Sequence, residues 1–173
     1  AWHAGQGRWR GREDINSRSI GVEIVNGGHD YGLPPYPRAQ IDAVADLCLD
    51  IVRRWAIPAV QIVAHSDIAP ARKEDPGEHF PWARLAERGV GLWPRESDAS
   101  GAPGEGAAIA DCLSAIGYDL CPVGAPSAET LAAAVRAFQR RWRPSLVSGE
   151  ADAATLQRAR AVAQLYAASE QVA

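Results

Sequence analysis

The sequence predicts an α/β fold, in which a mixed sheet is flanked by helices, followed by a small three-helix domain. Two stretches of the first half have the apolar pattern of strands, and helical periodicities accompany them. The composition changes near residue 98, because all four histidines and five of the six tryptophans precede residue 96. The remainder is rich in alanine and has long helical patterns. We therefore expect two parts of different architecture.

The two predicted strands span residues 19–25 and 60–64. In the first, Ile20, Val22 and Ile24 point to one face, and the opposite face carries Glu23. The second follows Pro58 and delivers His65 at its C-terminal end. Strand ends that face loops are where α/β proteins place their sites, so this position is a candidate site.

Helices are predicted wherever apolar residues recur at steps of three and four. In the first half, one helix opens at Pro37 and a short one covers residues 82–88. In the second half, three helical patterns predict a small bundle, with Ser127 and Asp152 as N-caps of its second and third helices. The stripe predicted for the helix after Pro37 consists of Ile41, Val44, Leu47, Cys48, Ile51, Val52 and Trp55.

A polar stretch rich in Gly and Pro separates the two parts. It has no periodicity, which is typical of a linker. The predicted division is a first domain over residues 1–96, a linker over residues 97–106 and a helical domain over residues 107–173.

Charge and cysteine content exclude several classes of partner. The 173 residues include 18 basic and 21 acidic side chains, and the net charge of -3 gives no electrostatic footprint for nucleic acid or an anionic membrane. No apolar run approaches the roughly 20 residues that span a bilayer. Three cysteines are too few for a disulfide framework, and at most Cys112 and Cys121 form a bridge. We expect a monomer.

The densest polar cluster lies in the loop that follows the second predicted strand. It contains His65, Asp67, Lys73 and Asp75 among turn-forming residues. An imidazole and a carboxylate suit Zn²⁺, and a catalytic zinc site has three protein ligands plus an open position for water. The alternative is a surface loop with Asp caps and a hydrogen-bonded histidine.

Two further residues are candidates for catalysis. Lys73 is the only lysine among the 18 basic residues, and its compact ammonium suits a narrow site beside a developing oxyanion, although a single lysine can also arise by chance. Glu23 lies in an otherwise apolar strand, so it either faces solvent at an edge or points into a cleft. Gly21 beside it leaves room for a ligand or a neighbouring backbone.

Several motifs resemble those of the zinc-dependent N-acetylmuramoyl-L-alanine amidases of the AmpD and AmiD kind. The resemblance covers residues 1 to about 96, and the tail is similar to the helical peptidoglycan-binding domain that follows such catalytic domains. The matching motifs run from Ala1 to Gly5, from Asn16 through Ser19 to Asn26, from His65 to Gly77, and from Phe80 to Trp82, with Leu131, Phe138, Gln139 and Asp152 in the tail.

The resemblance implies hydrolysis of the amide between N-acetylmuramic acid and L-alanine, in peptidoglycan or muropeptides. It makes His65 and Asp75 zinc ligands, Glu23 the acid that handles the proton of the attacking water, and Lys73 the stabiliser of the oxyanion. It also implies that Trp2, His3 and Asn16 line the substrate groove. The remaining histidines, His29 and His79, are expected to be surface or packing residues.

The sequence departs from the family's pattern at the first zinc ligand. In this family that ligand is a histidine upstream of the Trp-His-Ala-Gly segment, and no residue here matches it. We therefore expect that the catalytic domain lacks its N-terminal strand or strands. His3 is the alternative third ligand, but its segment fits the substrate groove better.

Two alternatives to this amidase remain open. One is a peptidoglycan-recognition module that binds without hydrolysis, which the unmatched ligand favours for this chain. The other is a zinc hydrolase of another amide. For the amidase, we expect a location in the periplasm or cell envelope, with an outer-membrane lipoprotein as one form through a signal upstream.

Overall fold

A computed structural model of the protein describes residues 2–95, 108–120 and 125–170, with the side chain of residue 170 excepted. Two short 3₁₀ helices, His29–Tyr31 and Ala59–Gln61, interrupt the loops of the first half. The α-helices are α1 (Ile15–Arg18), α2 (Arg38–Trp55), α3 (His65–Ile68), α4 (Trp82–Glu87), α5 (Ile109–Ile116), α6 (Ala128–Trp142) and α7 (Ala153–Glu170).

The predicted mixed sheet is absent from the described residues, so the α/β prediction is wrong. Their β-pairing consists of one isolated antiparallel bridge between Trp9 and Arg12. Residues 19–25 run without regular secondary structure, and the predicted second strand is replaced by the 3₁₀ helix Ala59–Gln61 and a short irregular stretch before His65.

The physical reason is that a strand is completed by its neighbours. Alternating apolar residues suit a pleated surface, but a strand forms only when a second segment pairs with its backbone groups. Nothing in the described parts of the chain pairs in this way with residues 19–25. Ile20 and Val25 consequently stay in contact with solvent, with exposed fractions of 50% and 86%, whereas Ile24 packs against a hydrophobic cluster.

The helix predictions of the first half are confirmed. Helix α2 starts immediately after Pro37, whose fixed φ and missing N–H suit a helix start. It buries Ile41 and Ala45, whereas Leu47 and Trp55 from the predicted stripe are exposed. The stripe is therefore only partly covered by the described chain.

The three helices of the second half and both N-caps are also confirmed. The Ser127 hydroxyl accepts a hydrogen bond from the Thr130 N–H at the start of α6. The Asp152 carboxylate accepts one from the Thr155 N–H at 2.7 Å, at the start of α7. Caps of this kind satisfy backbone donors that have no partner inside the helix.

The predicted linker, residues 97–106, lies outside the described residues, as does Cys121 of the possible bridge with Cys112. The division into two domains therefore stays a prediction. The described residues of both parts nevertheless share one apolar core, in which Trp9 and Ile68 belong to the same cluster as Leu113, Phe138 and Trp142. A second cluster around Ile41, Phe80 and Trp82 lies within the first part.

None of the helices in the described residues is both long enough and apolar enough to cross a membrane.

Candidate metal and catalytic site

Local hydrogen bonds close the loop between His65 and Gly77 and bring its two ends together. Helix α3 begins at His65, so the imidazole leaves the first turn of a short helix. The Ser66 N–H donates to the Asp75 carbonyl at 3.1 Å, and the Lys73 N–H donates to the Ala69 carbonyl at 2.9 Å. Residues separated by ten positions in the sequence thereby become neighbours.

The two predicted zinc ligands are adjacent in this loop. His65 Nδ1 lies 3.0 Å from Asp75 Oδ2, and His65 Nε2 lies 3.3 Å from the Ala4 carbonyl oxygen. Zinc binds nitrogen and oxygen ligands at about 2.0–2.2 Å, and ligating histidines usually donate their second N–H to a carbonyl or carboxylate. The donor set and the second contact of the ring therefore both fit two ligands of one zinc ion.

The described part of the chain places no third ligand beside this pair. The described residues contain no group of three or more His, Cys, Asp or Glu side chains arranged to hold a metal. His3 points elsewhere, because its Nε2 lies 2.7 Å from the Ser19 hydroxyl and its ring packs against Gly21. A Cβ on Gly21 would come within 2.6 Å of that ring, so the glycine makes room for a neighbouring side chain.

Glu23 and Lys73 carry charges that the described part of the chain leaves unpaired. Glu23 is exposed on the extended segment, and Lys73 is half-buried two residues before Asp75. Neither side chain has a hydrogen bond or ion pair with another described residue.

The remaining predicted residues have different surroundings. Trp2 is 85% exposed. The side chain of Asn16 binds the backbone of residues 3–5. The other two histidines are exposed, as predicted: His29 Nε2 lies 3.0 Å from a carboxylate oxygen of Glu78, and His79 Nδ1 lies 2.5 Å from the Leu33 carbonyl.

Tyr36 lies close to the loop between His65 and Gly77, although no motif in the sequence selects it. Its hydroxyl donates to the Pro76 carbonyl at 2.8 Å. Burial and the negative charge of Asp75 raise the pKa of Tyr36. The tyrosine sits in a proline-rich connection, where no sequence pattern distinguishes it from a packing residue.

Asp67 supports the loop from beneath and is fully buried. Its Oδ2 accepts the Ala64 N–H at 2.8 Å and Arg141 Nη1 at 2.6 Å, and its Oδ1 accepts the Tyr118 hydroxyl at 2.6 Å. The sequence places Asp67 among the polar residues of the candidate site. The structure places it instead as the anchor of the turn that carries His65.

Arg141, from α6, is the counter-ion of Asp67. Its guanidinium also donates to the Ile62 carbonyl at 2.8 Å and lies over the rings of Trp82 and Trp142. Burial acts to lower the pKa of Arg141, but Asp67 raises it and the net shift is upward. The pKa of Tyr118 is raised well above its ordinary value, first by burial and then by the charge of Asp67.

The chain is similar to one known protein family and to several of its members. The family model for N-acetylmuramoyl-L-alanine amidases matches residues 1–78. The chain is 39% identical to the N-acetylmuramoyl-L-alanine amidase AmiD of Escherichia coli over 179 aligned residues, which cover 96% of this chain and 64% of AmiD. It is 43% identical over 85 residues to the 1,6-anhydro-N-acetylmuramyl-L-alanine amidase AmpD of Enterobacter cloacae, covering 49% of this chain and 43% of AmpD.

The fold is also similar to solved structures. The complex of E. coli AmiD with anhydro-N-acetylmuramic acid-L-Ala-D-γ-Glu-L-Lys superposes with a TM-score of 0.84 at 39% identity, covering 96% of this chain and 69% of that one. The present chain thus spans about two thirds of the length of AmiD. With this identity and coverage, the chain belongs to the N-acetylmuramoyl-L-alanine amidases.

Proposed function

We propose that this protein hydrolyses the amide bond between N-acetylmuramic acid and L-alanine in peptidoglycan or muropeptides. The observation that carries the proposal is the His65–Asp75 pair, whose facing atoms lie 3.0 Å apart, in a chain 39% identical to an amidase crystallised with an anhydro-muropeptide.

Zinc is the metal that suits this pair. Its donors are an imidazole nitrogen and a carboxylate oxygen, and the other ring nitrogen meets a backbone carbonyl, as in many zinc sites. When bound, zinc would polarise the scissile carbonyl and lower the pKa of water to about 7. His65 and Asp75 would hold it from the two ends of the loop.

The chain's own charged groups would carry the remaining steps. Glu23 is proposed to accept the proton of the attacking water and to return it to the leaving amine. Lys73 is proposed to stabilise the negative charge that develops on the carbonyl oxygen. Both side chains carry a charge that no other described residue pairs, so neither would have to break an existing contact.

Substrate binding is proposed to involve the N-terminal segment and the helical tail. Trp2 exposes an indole and His3 lies next to it, which suits contacts with a sugar or peptide along a groove. The tail, which resembles peptidoglycan-binding domains, would raise the local concentration of scissile bonds. A protein with this substrate would act in the cell envelope or periplasm, and one form of it would be a lipoprotein of the outer membrane.

The direct test is cleavage of an anhydro-muropeptide with zinc present, followed by chromatography of the released peptide. Glu23→Gln keeps the size of the side chain but removes the basic carboxylate, so the rate should fall about 10²-fold or more with zinc affinity unchanged. Glu87→Gln, an exposed acid at the end of α4, is the matched control and should keep the parental rate.

The proposed role of Lys73 is tested by variants that either keep or remove its positive charge. Lys73→Arg spreads the charge over a larger planar group, and we expect a loss of about 10²-fold, chiefly in kcat, as when one oxyanion donor is removed. Lys73→Ala should be no better. Near-parental turnover of Lys73→Arg would show that the site needs charge alone.

A second candidate function is recognition of peptidoglycan without hydrolysis. It is favoured by one observation, that the described residues bring together two of the proposed metal ligands and no third. Co-sedimentation with purified sacculi, together with zinc content after dialysis, separates the two functions. A chain that sediments with sacculi, retains no zinc and releases no peptide supports recognition alone.

A further inference from the structure

The backbone at residues 3–5 lies against the imidazole of His65, at the start of the loop that ends at Gly77. Ala4 is 2% exposed, and its carbonyl oxygen lies 3.3 Å from His65 Nε2. The guanidinium of Arg72 donates to the same oxygen at 3.4 Å and to the Gln6 carbonyl at 2.8 Å. The Ala4 carbonyl is therefore held in place, and its oxygen faces Nε2 of His65.

The side chain of Asn16 makes three further hydrogen bonds to this segment. Asn16 Oδ1 accepts the N–H groups of His3 and Ala4, both at 2.9 Å, and its Nδ2 donates to the Gly5 carbonyl at 3.0 Å. Two backbone donors require an oxygen and one backbone acceptor requires an amino group, so only one orientation of the amide satisfies all three contacts. Asn16 thus fixes three consecutive residues around Ala4.

The two ring nitrogens of His65 both face oxygen atoms. A carbonyl oxygen can only accept a hydrogen bond, so a hydrogen bond to Ala4 requires a proton on Nε2, and Asp75 Oδ2 makes the same demand on Nδ1. A metal beside Asp75 would take the lone pair of Nδ1 and would leave the ring proton on Nε2, facing the Ala4 carbonyl. This is the form in which an imidazole binds a metal through Nδ1.

We propose that Asn16 is a positioning residue that acts through the Ala4 carbonyl: it fixes the acceptor that the Nε2 edge of His65 meets, and so directs Nδ1 towards the metal position beside Asp75. This inference rests on the proposed function for the identity of the metal. It gives Asn16 a task different from contact with substrate, because its Oδ1 is occupied by two backbone donors and its Nδ2 by a backbone acceptor.

The residue type matters for this task. In Asn16→Ala all three hydrogen bonds are lost. In Asn16→Asp the two bonds to Oδ1 remain, but a carboxylate oxygen faces the Gly5 carbonyl, so the segment should be held less well than by Asn. Asn26 offers a matched control: its Nδ2 donates to the Pro34 carbonyl at 3.0 Å and its Oδ1 accepts the Gly28 N–H at 2.9 Å.

The experiment compares Asn16→Ala, Asn16→Asp and the control Asn26→Ala with the parent by two measurements. The first is ¹⁵N-edited NMR of the imidazoles with Zn²⁺ bound, which detects the Nε2–H of His65 when a hydrogen bond slows its exchange. The second is the affinity for Zn²⁺ alone, by competition with a chelator.

We expect Asn16→Ala to lose the His65 Nε2–H signal and to bind zinc 10–100-fold more weakly, the usual effect of losing an outer-shell partner. Asn16→Asp should fall between it and the parent, and Asn26→Ala should match the parent. Retention of the signal in Asn16→Ala, or equal losses in both alanine variants, would overturn the proposal. If the NMR pattern holds but the parent cleaves no muropeptide, the proposed function fails and the positioning role stands.

Discussion

The buried ion pair between Asp67 and Arg141 gives the largest stability effect that we expect from a single substitution. The side chains are 0% and 1% exposed, and they join α3, at the start of the loop between His65 and Gly77, to α6. Arg141→Met keeps an apolar stem against Trp82 and Trp142 but leaves the carboxylate buried without its counter-ion. Breaking a buried pair by removing one partner costs about 3–5 kcal/mol.

The assay is equilibrium unfolding in urea, followed by tryptophan fluorescence and circular dichroism. For a chain of this size, each kcal/mol corresponds to about 2–4 °C in Tm, so the melting temperature of Arg141→Met should fall by roughly 6–20 °C. Asp67→Asn combined with Arg141→Met removes both charges. The double variant should therefore be more stable than the sum of the single effects implies, with a coupling of about 2 kcal/mol.

Arg140→Met is the matched control, one residue earlier on the same helix. Its partner Glu74 is 57% exposed, so water can replace the arginine, and pairs of this kind contribute about 0–1 kcal/mol. If Arg141→Met costs less than about 1 kcal/mol, or no more than Arg140→Met, the reasoning from burial is refuted. Because the pair joins the two parts, the parent should also unfold in a single transition by both probes.

Three further predictions follow from local contacts. Ser127→Ala removes the cap of α6 and should lower the unfolding free energy by about 1 kcal/mol in urea titrations, whereas the exposed Ser114→Ala should change it little. The Thr155 N–H lowers the pKa of Asp152, so the parent should have a higher unfolding free energy than Asp152→Asn above the ordinary carboxyl pKa of 3.8, and this difference should disappear as the pH falls through the lowered pKa. Unfolding at a series of pH values checks this, and a stability difference that grows in acid would contradict it. Gly117→Ala should be destabilising in thermal melts, because φ is +135° and a Cβ would lie 2.5 Å from Arg10; an unchanged Tm would show that the turn can relax.

The helices were predictable from the sequence because the forces that form them are local. Periodic apolar residues, Pro37 at a helix start, and the caps Ser127 and Asp152 act within a few positions of one another. The sheet was not predictable in this way. An alternating segment such as residues 19–25 is compatible with a strand, but whether it becomes one depends on a pairing segment, and the described residues provide none.

The same distinction holds at the site. The residue types and the order of motifs predict His65 and Asp75 as a pair, and the closed loop brings these side chains, ten positions apart, to within 3.0 Å of each other. The contacts that orient them could not be predicted: 61 positions separate Ala4 from His65, and 74 separate Asp67 from Arg141. A buried aspartate and an exposed one look alike in a sequence, and only the packing of α6 against the loop decides that Asp67 is buried against an arginine while Asp75 stays exposed beside His65.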